Sequence, residues 1–302
     1  MPLDGSALAE QTLPYVSFLA KKMREHVELF RVIEPLPLAG LPDPAYESCR
    51  QLILAELNED AEAYLTGVAA RLAWQGIDVS AKVVHGDPAS LVLKAVEGQR
   101  DVLIAMSTHG RSGITGWVLG SVTDKVLHST VNPLLIARCR KEVPDPEIKL
   151  STLIVPLDGS ALAEQILPHV SGLAEAMKIK IDLVTVIPSA GDAPSLFEIV
   201  PMSGEGPAVE VKENATAYLH QVAKKLRREG TVTIEEHVLE GHPAVAIIDY
   251  AKGIPDNVVA MASHGRSGIG RWLLGSITDL AARNSGDPVL VVHSCNAEPS
   301  KE

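Results

Sequence analysis

Gly110, Gly120 and Ser121 are spaced to hold an anion, with nine residues between the two glycines. The stretch around them, residues 107–124, reads STHGRSGITGWVLGSVTD. An apolar run at 102–106 leads into it, and Gly120-Ser121 opens a segment at 122–128 with helical spacing. Glycine lets backbone N–H groups come close to phosphate oxygens, and the unpaired N–H groups of a helix's first turn carry positive partial charge. Strand, glycine loop and helix start together predict a phosphate-type site. The chain carries this arrangement twice. Residues 262–279 read ASHGRSGIGRWLLGSITD and match the first copy at 12 of 18 positions, each displaced by 155, with Gly265, Gly275 and Ser276 in the corresponding places.

Further residues of the loops bear on the chemistry. Gly113 and Gly268 extend the glycine spacing, and Arg111 and Arg266 are placed either to pair with phosphate or to stand in solvent. His109 and His264 stand where general bases could, yet no carboxylate or nucleophile pairs with them recognisably, which argues against catalysis. No P-loop lysine follows the glycines. Trp117 and Trp272 read as packing residues rather than stacking platforms. His85 and His242 occupy different positions around their turns and suggest no metal site.

A second repeat lies upstream. LDGSALAEQ at 3–11 recurs unchanged at 157–165, which sets Asp4 and Asp158 in the same context. An Asp before Gly-Ser reads either as a ribose-binding carboxylate or as a turn and helix-start residue. Repeats this close fix the architecture as two equivalent units.

The elements that must position these residues alternate between strand and helix. A helix is expected over 6–23, bent or restarted at Pro14, with Pro168 as its counterpart. Strands follow at 27–33 and 181–187. Pro/Gly-rich connections at 35–44 and 188–207 lead to long helices at 46–75 and 209–229, stopped by Gly76 and Gly230. Strands at 79–84 and 232–239, short helices at 88–97 and 243–252, and strands at 102–106 and 258–261 precede the glycine loops. Strands at 133–137 and 288–292 close the units. Apolar strand runs alternating with helices predict a parallel sheet covered on both faces. In such sheets ligands sit beyond the carboxyl ends of the strands, where the topology reverses. Asp4, Val32 and Ser107 fall at such ends in the first unit, as do Asp158, Val186 and Ala262 in the second. The units are read as 1–140 and 151–296, with a charged, proline-containing linker at 141–150 and a tail at 297–302.

Composition narrows the function. The net charge of −11 argues against a nucleic-acid partner, which needs clustered Lys and Arg. With 46% hydrophobic and only 4% aromatic residues, the cores should be aliphatic. Cys49, Cys139 and Cys295 are few, odd in number and without metal-type spacing, which fits a reducing, cytoplasmic setting. No stretch has membrane-spanning length, and no basic-plus-apolar leader opens the chain.

Across essentially its whole length the sequence resembles the universal stress protein family in its tandem two-domain form. The resemblance rests on the Leu-Asp-Gly-Ser strand endings, the Gly-Asp-Pro and Gly-His-Pro turns at 86–88 and 241–243, the glycine loops and the Pro-led fifth strands. It implies two open five-stranded parallel sheets of the adenine nucleotide alpha hydrolase-like, Rossmann-like class. Nucleotide-binding members carry G-x-x-G-x9-G-[ST]; here the first position is Ser107 in one unit and Ala262 in the other. Carried over, the family pattern sets Asp4 and Asp158 near ribose or adenine, and the backbone of Val32 and Val186 at adenine. The glycine loops, Ser121-Val122 and Ser276-Ile277 then meet the phosphates. The implied ligand is ATP, or AMP or ADP, with Mg²⁺ or Mn²⁺, and the implied role is a stress-response sensor or switch. A ligand-free interaction module of the same fold and a weak nucleotide hydrolase are the alternatives.

Two expectations concern assembly and the chain start. Short apolar edge strands in both units predict an intramolecular pseudo-dimer, with a homodimer of chains as a further step. Residues 152–155 precede Pro-Leu-Asp in the second unit, whereas Met1 alone does so in the first. The reading is that the native chain begins upstream and that Met1 marks an internal position of a longer first strand.

Overall fold

The computed structural model describes residues 1–35, 44–99, 101–108, 119–138, 148–189, 206–230, 232–263 and 275–293. The chain divides into two compact units, Met1–Ile148 and Lys149–Glu302.

In the second unit β5 (Thr152–Pro156) is followed by α6 (Ala161–Glu164), α7 (Leu167–Met177), β6 (Lys180–Ile187), α8 (Gly206–Glu229) and β7 (Ile234–Glu240). Then come α9 (Pro243–Lys252), β8 (Asn257–Ala262), α10 (Ser276–Asn284) and β9 (Val289–Val292). The strands lie side by side as β9-β8-β5-β6-β7, all parallel. Every residue of β8 and β9 is buried, as a strand covered on both faces requires. Side chains of β7 identify the two covering layers. Glu236 points to α8, where Arg227 Nη1 is 3.0 Å away and His220 Nδ1 3.4 Å. On the opposite face Tyr250 of α9 reaches Asp182 of β6, the register partner of Glu235. The chain runs outward from β5 through β6 to β7, then returns to β8 on the other side. The strand order therefore reverses between β5 and β8.

The first unit repeats the element order: α1 (Ala7–Glu10), α2 (Leu13–Met23), β1 (Val27–Ile33), α3 (Pro44–Trp74), β2 (Val79–His85), α4 (Pro88–Ala95), β3 (Ile104–Ser107), α5 (Ser121–Ser129) and β4 (Leu134–Ala137). Pro14 stands in the first turn of α2, where its missing N–H costs nothing, so the expected single helix is a short α1 followed by a restart. β1 pairs with β2, and β3 with β4, again in parallel. The two units differ at the first strand. β5 reaches β8 through Thr152, Leu153 and Ile154 and β6 through its whole length. In the first unit, among the described residues, the backbone bonds of residues 1–3 go to β1: Phe30 N–H donates to the Met1 carbonyl at 2.9 Å, and Leu3 N–H to the Phe30 carbonyl at 2.8 Å. Pro2 forms a single bridge with Phe30, and β1 and β2 make a two-stranded sheet of their own. Among the described residues no helix is long and apolar enough to cross a membrane.

Candidate functional site at the carboxyl edge of the strands

Leu157, Asp158 and Gly159 leave β5 in a turn that the sequence dictates. Gly159 takes φ of 81°, and Gly5 in the first unit takes 85°, a region closed to most side chains. That bend brings the serine back under the aspartate. Asp158 Oδ1 accepts from the Ser160 N–H at 2.9 Å and from the Ser160 hydroxyl at 2.6 Å. Ser160 Oγ in turn accepts from the Ala163 N–H and caps α6. Asp4, Ser6 and Ala9 repeat the same three bonds at matching distances. The aspartates thus have a structural task at the start of each unit.

At the other flank of the reversal, Ala262 ends β8 and Ser107 ends β3. Both are buried, and a small side chain is what such a strand end accepts. The glycine loops leave from here. Their entry and exit are tied together identically: Gly120 N–H donates to the Thr108 carbonyl and Gly275 N–H to the Ser263 carbonyl, both at 2.7 Å. A second tie runs from the helix. The Thr123 hydroxyl donates to the Ser107 carbonyl at 2.8 Å, and the Thr278 hydroxyl to the Ala262 carbonyl at 2.9 Å. These threonines were not singled out as site residues from sequence, although both are identical in the repeat and follow Gly-Ser at the same spacing.

Gly120 and Gly275 are the N-caps of α5 and α10 and carry no side chain, so no side-chain cap bonds the first turn of either helix. Ser121 and Ser276 are exposed there, with Val122 and Ile277 half-buried behind them. A helix start whose N-cap residue offers no side-chain acceptor can present its N–H groups and the positive end of its dipole to an anion. Val186 stands one residue before the carboxyl end of β6 and Val32 in the same place on β1; both are half-exposed. In the second unit the structure therefore brings Asp158, Val186, Ala262 and Ser276 to the carboxyl ends of the parallel strands or the helix start beyond them, with Asp158 and Ala262 flanking the reversal. His109, Gly110, Arg111, Gly113 and Trp117 lie outside the described residues, as do His264, Gly265, Arg266, Gly268 and Trp272.

The two edges are not equal. Arg31 of β1 stacks its guanidinium 5.0 Å from the centre of the Tyr64 ring. The same group lies against Gly5, where a Cβ would meet Nη1 at 3.1 Å. Its counterpart in the second unit is Thr185, buried and uncharged. Burial first, then the neighbouring Glu10, pushes the Tyr64 hydroxyl far above its ordinary range. Tyr218 is shifted likewise by burial and Glu164, to which it donates at 3.1 Å.

Doubled parallel α/β units, each with a helix starting beyond the strand ends, define the class of the chain as a tandem open-sheet α/β protein. The chain belongs to the universal stress protein family, whose sequence pattern matches residues 1–138 and again 150–293. It is similar to universal stress protein Slr1230 of Synechocystis, 24% identical over 303 residues, covering 95% of this chain and 96% of that one. Over 142 residues it is 34% identical to universal stress protein Rv2005c of Mycobacterium tuberculosis, covering 45% of this chain and 43% of that one. Among solved structures, a universal stress protein of Archaeoglobus fulgidus shares the fold with a TM-score of 0.67 at 24% identity, covering 97% of this chain and 96% of that one.

Proposed function

We propose that the protein binds an adenine nucleotide, ATP with Mg²⁺ or Mn²⁺ foremost, at the carboxyl edge of its sheets and acts as a sensor or switch in the stress response. The observation that carries this reading is the helix start at Gly275-Ser276. It lacks a side-chain cap, opens beyond the strand adjoining the reversal, and is clamped by Thr278 and by the Gly275–Ser263 bond. Phosphates would accept from the N–H groups of Ser276 and Ile277, with Gly265 and Arg266 completing the loop. Asp158 would face the ribose and the backbone of Val186 the adenine. Ser121, Val122, Gly110, Arg111, Asp4 and Val32 take these roles in the first unit.

The test is thermal unfolding of protein shown to be nucleotide-free, with and without ATP and Mg²⁺. A ligand that binds only the folded state stabilises it by about 2.7 kcal/mol at a hundredfold excess over Kd. A rise in Tm that shrinks in both Gly110→Val and Gly265→Val is the expected result. No shift at millimolar ATP removes the nucleotide reading and leaves an interaction module of the same fold.

A further inference from the structure

The second unit carries a polar cluster on the face of its sheet that α9 covers, away from the carboxyl edge. Asp182 is four residues before Val186, about 13 Å along the strand. It stands between the apolar Ile181 and Leu183, and its side chain is wholly buried. Glu235 is its register partner on β7, and His237 follows two residues later, so both point to the same face as Asp182. One carboxylate oxygen from each acid and one ring nitrogen of His237 all lie within 4.8 Å of one another.

Two further observations separate this cluster from an ordinary group of acids. Asp182 Oδ1 and His237 Nε2 are buried atoms whose partners among the described residues are ionic groups of the cluster itself, Lys180 Nζ at 3.2 Å and Glu235 Oε2 at 3.6 Å. The other oxygen, Asp182 Oδ2, accepts from the Tyr250 hydroxyl at 3.0 Å, which fixes the carboxylate with Oδ1 aimed into the cluster. The Tyr250 ring also packs 5.1 Å from the His237 ring. A positive charge already bridges the two acids. Lys180 Nζ is 3.2 Å from Asp182 Oδ1 and 2.9 Å from Glu235 Oε2. Its side chain is 32% exposed and can swing its ammonium into water.

We infer that Asp182, Glu235 and His237 form a site for a divalent transition metal, Zn²⁺ foremost, which binds by displacing the Lys180 ammonium. Imidazole with two carboxylates suits Zn²⁺ far better than Mg²⁺. Zn–N and Zn–O bonds of about 2.0–2.2 Å put neighbouring ligand atoms about 3.4 Å apart, so the cluster must contract. Glu235, with its side chain 48% exposed, is the member with room to move. Tyr250 then serves as the partner that orients Asp182. The first unit supplies its own control. At the same register positions it has Glu28, Ser80 and Lys82, which is no ligand set for this metal.

The full chain, stripped of metal, is titrated with Zn²⁺ against a chromophoric chelator, with Mg²⁺ as the comparison. The expected result is one Zn²⁺ bound per chain through this cluster and no comparable Mg²⁺ binding. His237→Gln, a partly exposed position, should weaken Zn²⁺ at least tenfold with unchanged circular dichroism. Lys180→Met should tighten it. Co²⁺ should develop visible absorption in the wild type that His237→Gln lacks, a signal that a purely structural role would leave alone. Binding unchanged in His237→Gln places the metal elsewhere and overturns the inference. Absence of binding overturns it too, as does binding confined to Lys180→Met, because the lysine is then the permanent occupant.

Discussion

A single hydroxyl on each of α5 and α10 holds the mouth of the glycine loop. Thr278 spends its hydroxyl on the Ala262 carbonyl, inside a buried region. Thr278→Val keeps the shape and removes the donor, so urea unfolding should show a loss of about 1–2 kcal/mol. Thr278→Ser should recover most of that loss, and Thr123→Val should have the same effect in the first unit. An unchanged midpoint in both valine variants would show that the clamp contributes nothing. Such bonds were not legible in the sequence, because they join residues 16 positions apart through a loop whose path periodicity does not reveal. Asp4 and Asp158 were legible as turn formers, since Asp-Gly-Ser carries its own local geometry.

Helix starts differ between the copies in a way that can be tested. Asp87 caps α4: it accepts from the Ser90 N–H at 2.9 Å, from the Ser90 hydroxyl, and from Lys125 Nζ at 2.9 Å. The Ser90 hydroxyl first, then Lys125, holds its carboxyl down to about 2. A depressed carboxylate contributes stability above its unfolded pKa, and that contribution is lost as the pH falls through about 2. His242 holds the same backbone position before α9 but makes no side-chain cap. His242→Asp should therefore stabilise the second unit by about 0.5–1 kcal/mol through the Val245 N–H. Val245 and Leu280 replace Ser90 and Lys125, so the new cap should be lost at a higher pH than that of Asp87. Tm measured against pH checks both points, and no gain at neutral pH counts against the capping argument. At this scale the sequence reads well where a pattern is local. β1 and α9 fall where their apolar spacing and proline signals put them. β3 begins at Ile104 rather than at 102, because Asn132 Nδ2 donates to the carbonyls of Gln99 and Val102, a partnership from across the unit.

Over the whole molecule the duplication is legible, and so is the parallel order of the strands, because the repeat and the apolar runs state them directly. The separation of β1–β2 from β3–β4 follows from pairing. In the second unit Thr152, Leu153 and Ile154 join β5 to β8, whereas the backbone bonds of residues 1–3 go to β1. Native-state hydrogen exchange should accordingly find the amides of β1 and β2 opening at lower free energy than those of β5 and β6. Equal protection would mean that α3 and α4 secure the first pair as well as a central strand secures the second.

Arg31, stacked on Tyr64, has Thr185 as its counterpart. A protein assembled from two identical polypeptides carries every substitution twice and can vary its two edges only together. Here one gene encodes both copies in fixed one-to-one proportion, so a guanidinium enters one edge while a threonine holds the matching place in the other. Covalent duplication thus gives the chain what a heterodimer has, two sheet edges that can diverge, without the need to sort unlike partners from like ones.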